Sequence, residues 1–387
     1  MKILFISDAS DLFGAPKALM ENLKNIIQLE QRNITPIVLT SKYNEVNIFC
    51  DKLNIENYVT CHPTWMMTKK EKKYKFIIKF IVKYIKYIFF SKFAIKKAEK
   101  YINFEEIDII HTNTSIIDFG AKLAKKYNKK HIWHLREFGQ EDYDMIAFKR
   151  NYIEYMNENT YSFIAISNAV KDCWIQKGII YEKISLIYDG INLDDIKLKR
   201  KCDNKKIKVV FSGYISESKG QIQAIKAIEK MNKETRKMLQ MDIIGIGKKE
   251  YMNDLIDYVN SNNLSESIKF LGYKKNLREL LPEYDIGMMC SKSEGFGRTT
   301  VEYMASGLIV VASDTGANLE LINDTKDGYI YQYNNIENLK EILINVIREY
   351  SKLECVRNNA VNKVKSMFDS KLNIQKLIDK YKTCEDK

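Results

Sequence analysis

A chain of 387 residues is longer than one hydrophobic core usually fills, so two domains of about 180 residues each are expected. Its 45% hydrophobic content and only 4 prolines argue against long disordered linkers, and 7 cysteines with no CxxC pair or metal-ligand spacing read as reduced cytosolic thiols, not a disulfide frame. A net charge of +12 suits nucleic acid, an anionic membrane surface or phosphorylated substrates and chooses none of them, while no apolar run reaches the length of a bilayer-spanning helix.

The opening MKILFISDAS reaches an Asp after a short apolar run and lacks a small-residue cleavage site, so it reads as a strand over residues 2–7 and not as a signal peptide. A loop from Asp8 to Gly14 precedes a helix with Leu19, Leu23, Ile26 and Ile27 on one stripe, and Pro16 suits its first turn. Strand, glycine loop and helix make a Rossmann-type opening. Gly14 can present backbone N–H groups to an anion or serve a plain βα turn, and both readings stand. Further apolar strands follow at TPIVLT (35–40), IDIIHTN (107–113), KKHIWHL (129–135), SFIAIS (162–167) and KISLIYDGI (183–191), separated by helical stretches, which predicts a parallel sheet.

Residues 193–206 are dense in charge and read as a linker. The pattern restarts with IKVVFSGY (207–214), MDIIGIG (241–247), SIKFLGY (267–273), YDIGMMCS (284–291) and GLIVVAS (307–313). These readings divide the chain into domains over 1–192 and 207–366 and a last segment, 367–387, with Leu372, Ile374, Leu377 and Ile378 in helical register.

One segment fits neither sheet. In residues 69–100, Lys72, Lys75, Lys79, Lys83 and Lys86 recur every three or four positions beside Phe, Ile, Tyr and Val. Such a cationic amphipathic helix lies in an anionic membrane interface. Alternatively it packs its apolar side on the first sheet and turns Lys to water.

The stretch richest in chemistry is CSKSEGFGRTTVEYMASG, 290–307. A short apolar strand, Asp285 to Cys290, runs into a Ser/Lys/Gly-rich loop and then a helix beginning near Arg298. Gly295 and Gly297 let the backbone turn sharply and approach a ligand, and the first N–H groups of the helix favour an anion. Glu294 and Glu302 can accept hydrogen bonds from hydroxyls but would repel a phosphate. A ligand bearing both, a sugar nucleotide, matches. The bland alternative is a glycine turn with Arg298 and Glu302 as an ordinary i,i+4 pair.

With GFG between its two glutamates and SGLIVVAS after them, this stretch resembles the signature of family 4 retaining glycosyltransferases. The resemblance implies an α/β fold of the GT-B type, two Rossmann-like domains whose parallel sheets face across a cleft, with a C-terminal helix crossing back to the first. It also implies a nucleotide-sugar donor, no metal and no cofactor. Glu294 would hold sugar hydroxyls and Glu302 the ribose hydroxyls, with Gly295, Phe296, Gly297, Arg298 and Thr299 at the donor. The turn SGYISESKG, 212–220, resembles the family's phosphate turn. There Gly213 keeps the glycine, Lys219 matches the phosphate-binding Lys, and Tyr214 stands where the family has Arg, leaving Arg298 or Lys17 to supply a second cation. Tyr273 and Lys274, after Gly272, would read the base, and Gly14 matches a glycine across from the donor phosphates.

The segment WHLREFGQE resembles the family stretch whose His lies near the donor sugar, which selects His134, with His111 as runner-up. His62 and His131 look incidental, and His131 and His134, three apart on a strand, point to opposite faces, against a shared metal. The implied activity is retaining transfer of a sugar to a glycan or lipid-linked acceptor, in cell-surface polysaccharide or glycoconjugate synthesis, by a cytoplasmic enzyme peripheral to the membrane. A non-catalytic partner with the same fold and a nucleotide-sugar epimerase are the alternatives. A nucleic-acid binder would need its basic residues along a groove, whereas the longest basic cluster sits on one apolar helix.

Overall fold

The computed structural model describes residues 1–8, 14–29, 33–69, 73–139, 145–194, 196–198 and 206–385. The chain divides into two compact units, Met1–Gly190 with Ser370–Lys387, and Ile191–Asp369. The return to the first unit thus comes at Ser370, and the charged stretch expected as a linker lies on the side of the second unit, its residues 195 and 199–205 being outside the described ones.

In the first unit, seven parallel strands are ordered β3-β2-β1-β5-β6-β8-β9: β1 Lys2–Ser7, β2 Thr35–Thr40, β3 Glu56–Val59, β5 Ile109–Thr112, β6 Lys130–Leu135, β8 Ser162–Ala165 and β9 Ile184–Leu186. A separate antiparallel pair joins β4 (Met66–Thr68) to β7 (Met145–Ala147). Both faces of the large sheet are covered, which is why its strands read as unbroken apolar runs. Ile3 and Phe5 point to one face, with Leu19, Leu23 and Ile26 of the Gly14–Leu29 helix. Ile374, Leu377, Ile378 and Tyr381 of the last helix, Ser370–Glu385, complete that core. Leu4 and Ile6 point to the other face, with Ile110, Phe119 and Leu123.

The second unit carries six parallel strands in the order β12-β11-β10-β13-β14-β15: β10 Ile207–Ser212, β11 Leu239–Ile244, β12 Ile268–Gly272, β13 Ile286–Met289, β14 Ile309–Ser313 and β15 Tyr329–Tyr331. Strand order reverses between β10 and β13, the place where open α/β sheets collect ligands at their carboxyl ends.

The Lys73–Ala98 helix divides its apolar residues between the unit and the solvent. Among the residues of the helix whose burial is described, Tyr87, Ser91, Ala94 and Ala98 are buried, and the last two enter the first unit's core. Polar and aromatic contacts hold it to the unit: Tyr87 Oη donates to Asp118 at 2.5 Å, Ser91 Oγ accepts from Lys122 at 2.7 Å, and Phe80, Tyr84 and Tyr87 pack on Phe148. Other large apolar side chains face water, with Ile78 64%, Ile85 60% and Phe89 66% exposed. Of the five lysines named for this segment, Lys72 lies outside the described residues.

Candidate functional site

Two strand-end turns of the second unit, far apart in sequence, are fastened together. After β13 the chain leaves Cys290 and reaches Glu294; after β10 it makes a short 3-10 turn, Glu217–Lys219, closed by left-handed Gly220. Lys292 N donates to the Ser218 carbonyl at 2.8 Å, and a Cβ on Gly220 would sit 2.1 Å from the Cys290 carbonyl oxygen, so only glycine lets the turns meet. This approach brings Lys219 Nζ to 2.5 Å from Glu294 Oε1, an oxygen that also accepts from Ser291 Oγ at 2.6 Å. Behind Glu294, Ala317 N donates to its carbonyl at 2.8 Å and Gly316 packs where any Cβ would strike the Glu294 backbone. Glu294 is 8% exposed, and one oxygen of its carboxylate, Oε1, has both Lys219 and Ser291 as partners.

The helix expected near Arg298 runs Arg298–Ala305, with left-handed Gly297 as N-cap and no capping side chain. A helix end of that kind suits an anion. Phe296 is buried edge-to-face on Phe368, so a role for it at a ligand runs through its main chain. Thr299 is half-buried on the first turn. Gly213 has φ +135 with open space where a Cβ would stand, so backbone conformation and not crowding demands glycine. Tyr214 is half-buried and its carbonyl accepts from Gln221 Nε2 at 3.0 Å; Tyr273 is 55% exposed after left-handed Gly272.

Arg278 escaped sequence reading. It lies on the short Leu277–Leu280 helix and donates from Nε at 3.0 Å and from a terminal nitrogen at 2.8 Å to Glu302 Oε1. Arg298 Nε stands 4.0 Å from the same oxygen, so the i,i+4 pair is the weaker of the two. An isolated Arg soon after the strand-end glycine was its one signal in the chain.

In the first unit, β5 and β6 present His111 and His134 side by side, His134 Nδ1 at 3.2 Å from His111 Nε2. Arg136 is clamped by Asp189 and by Asn113. His134 Nε2 is buried and has no hydrogen-bond partner among the described residues. Burial and the Arg136 charge hold both rings' pKa values well below the ordinary range. His62 and His131 are structural. Burial pushes them down to about 4 and about 3, and their ring nitrogens are taken by Ser7 and Thr60, and by Thr112 and Thr160, respectively. Gly14 opens its helix on the surface; residues 9–13 of its loop lie outside the described ones.

Two Rossmann-like units, one carrying a cation–carboxylate pair at its strand-switch point, define a protein built to hold a phosphorylated ligand. Family models extend this over most of the chain: "Glycosyltransferase Family 4" matches residues 29–195 and "Glycosyl transferases group 1" matches residues 194–363. The chain belongs to the family 4 glycosyltransferases of the GT-B type.

Among curated relatives, the chain is 23% identical over 308 residues to the Escherichia coli UDP-Gal:alpha-D-GlcNAc-diphosphoundecaprenol alpha-1,3-galactosyltransferase, covering 76% of this chain and 77% of that one. It is 26% identical over 310 residues to an uncharacterised glycosyltransferase of Methanocaldococcus jannaschii, covering 73% and 77%. In fold it matches Anabaena HepE in complex with UDP, with a TM-score of 0.78 at 20% identity over 99% of this chain and 100% of that one. TarM matches with a TM-score of 0.74 at 14% identity over 98% of each.

Proposed function

We propose that the chain moves a sugar from a nucleoside-diphosphate donor to a glycan or lipid-linked acceptor, with retention of anomeric configuration and without metal or cofactor, in the synthesis of a cell-surface polysaccharide or glycoconjugate. The observation that carries the reading is the Lys219–Glu294 contact at 2.5 Å, made by two turns that converge beside the helix bearing Glu302. In the donor complex Lys219 meets the diphosphate and Glu294 the sugar hydroxyls, while Arg278 holds Glu302 for the ribose. The slow step is rupture of the anomeric C–O bond, so stabilising negative charge on the departing diphosphate is what accelerates it. The acceptor oxygen bonds to the anomeric carbon on the face the diphosphate leaves, and its proton passes to a phosphate oxygen. Support for a membrane-linked acceptor comes from the Lys73–Ala98 helix, whose outward apolar side and flanking Lys79, Lys83 and Lys86 fit an anionic bilayer surface. Among the described residues no helix is long and apolar enough to cross a membrane.

The test is a thermal-shift screen against nucleoside diphosphates and their sugars, followed by NMR of the product anomer with and without a chelator. A ligand at a hundred times its dissociation constant raises stability by about 2.7 kcal/mol. An inverted product or activity lost to the chelator overturns the mechanism, and no response to any nucleotide overturns the function.

Two substitutions follow. Lys219→Ala should weaken UDP by about tenfold and leave uridine unchanged, since a charge-assisted hydrogen bond is worth roughly 1.5–3 kcal/mol. Arg278→Met should weaken UDP by about fivefold yet spare pyrophosphate, because it loosens only the carboxylate at the ribose. Calorimetric titration of the four ligand–variant pairs reads both.

A further inference from the structure

The final helix reaches into the histidine pair of the first unit. Tyr381 Oη lies 2.7 Å from His111 Nδ1, His111 Nε2 lies 3.2 Å from His134 Nδ1, and Arg136 approaches that same Nδ1 at 3.5 Å. A guanidinium has no acceptor and can only donate. The long contact to Arg136 favours a bare Nδ1 on a neutral His134 ring, and Tyr381 completes the lock: with that placement the direction of every bond in the row follows. His111 Nε2 must carry the hydrogen it gives to His134, its Nδ1 must accept, and Tyr381 must donate. At the far end His134 Nε2 is left holding a hydrogen with no partner among the described residues, on a side chain only 2% exposed. A buried donor left unmet costs stability unless a ligand meets it.

We propose that Tyr381, acting through His111, and Arg136 are positioning residues that lock His134 into the tautomer with hydrogen on Nε2, so that it donates to an oxygen of a sugar substrate bound at the strand ends of this unit. This rests on the reading that the chain transfers a sugar. Asp189 belongs to the device because it grips Arg136 through one terminal nitrogen at 2.5 and 2.6 Å and fixes where the cation stands. Tyr381 is itself 0% exposed and packs edge-on to Phe5 at 6.3 Å, so its ring is held whether or not the hydroxyl is present.

The experiment is nitrogen-15 NMR of histidine-labelled enzyme, with His134→Gln identifying the His134 signals, beside steady-state transfer from a UDP-sugar. Wild type should show His134 with Nδ1 bare and Nε2 protonated from pH 6 to 8. Tyr381→Phe should give a mixed tautomer at His111 and His134 and lower kcat about five- to tenfold, with UDP affinity unchanged. A wild-type His134 protonated on Nδ1 overturns the proposal without reference to any variant, as does a Tyr381→Phe enzyme with unaltered ring signals and kcat. If the tautomers behave as stated but His134→Ala transfers sugar at the wild-type rate, the relay stands and the assignment of His134 to the sugar fails.

Discussion

Glu294→Gln is expected to lower sugar transfer by about a hundredfold or more while UDP binds as tightly as in wild type, or slightly tighter. The size follows from removing one preorganised charged group at the reacting centre, which typically costs two to three orders of magnitude. The unchanged nucleotide affinity follows from the pair. Glu294 Oε1 sits 2.5 Å from Lys219 Nζ, so in the empty enzyme the carboxylate competes with phosphate for the ammonium. A neutral amide keeps the Ser291 contact but gives up that competition. Release of UDP under saturating donor and acceptor, together with calorimetry, measures both quantities. Turnover above about a tenth of wild type would remove Glu294 from the chemistry and leave it as the partner that holds Lys219.

The second large effect is expected at the Lys73–Ala98 helix. Replacing Ile78, Ile85 and Phe89 by Ser should reduce binding to phosphatidylglycerol-containing vesicles by at least about a hundredfold, since each buried side chain of this size contributes about 1.5–3 kcal/mol. Thermal stability should be unchanged or improved because those side chains are more than half exposed in the folded chain. Reversing Lys79, Lys83 and Lys86 to Glu should weaken the same binding by roughly 1 kcal/mol each and abolish its salt dependence. Sedimentation with vesicles reads these changes. Unaltered sedimentation in both triple variants would give the face to some other partner, and a wild-type dimer that the Ser variant dissolves would identify a second copy.

Much of the fold was legible. Runs such as KILFIS, TPIVLT and GLIVVAS are apolar throughout because both faces of a parallel sheet are covered, and each contains a strand. Glu56–Val59 and Tyr329–Tyr331 were missed because they are short edge strands, partly exposed, without such a run. In the candidate site, the structure brings Lys219 and Glu294 together, and the glycine-punctuated turns that carry Glu294, Lys219 and Glu302 were legible, Lys219 by its resemblance to the family's phosphate turn. Their partners were not, since nothing local announces a contact across 24 residues between Arg278 and Glu302, or across 270 between Tyr381 and His111. The lysine spacing of residues 69–100 announced an amphipathic helix, but not which side meets the protein: Tyr87, Ser91, Ala94 and Ala98 do, with Phe80 and Tyr84 on Phe148, while Ile78, Ile85 and Phe89 face water.

The last helix also bears on how the molecule is made. Ile374, Leu377, Ile378, Tyr381 and Cys384 share one core with Ile3 and Phe5, which are made long before them. The second unit is continuous in sequence and can close as soon as it leaves the ribosome. The first sheet, although synthesised earlier, waits with part of one apolar face uncovered until residues 370–384 emerge. Nascent chains stalled before residue 370 should therefore be the species that chaperones hold, and a bulky fusion placed hard against Cys384 should depress yield more than the same fusion at the amino end.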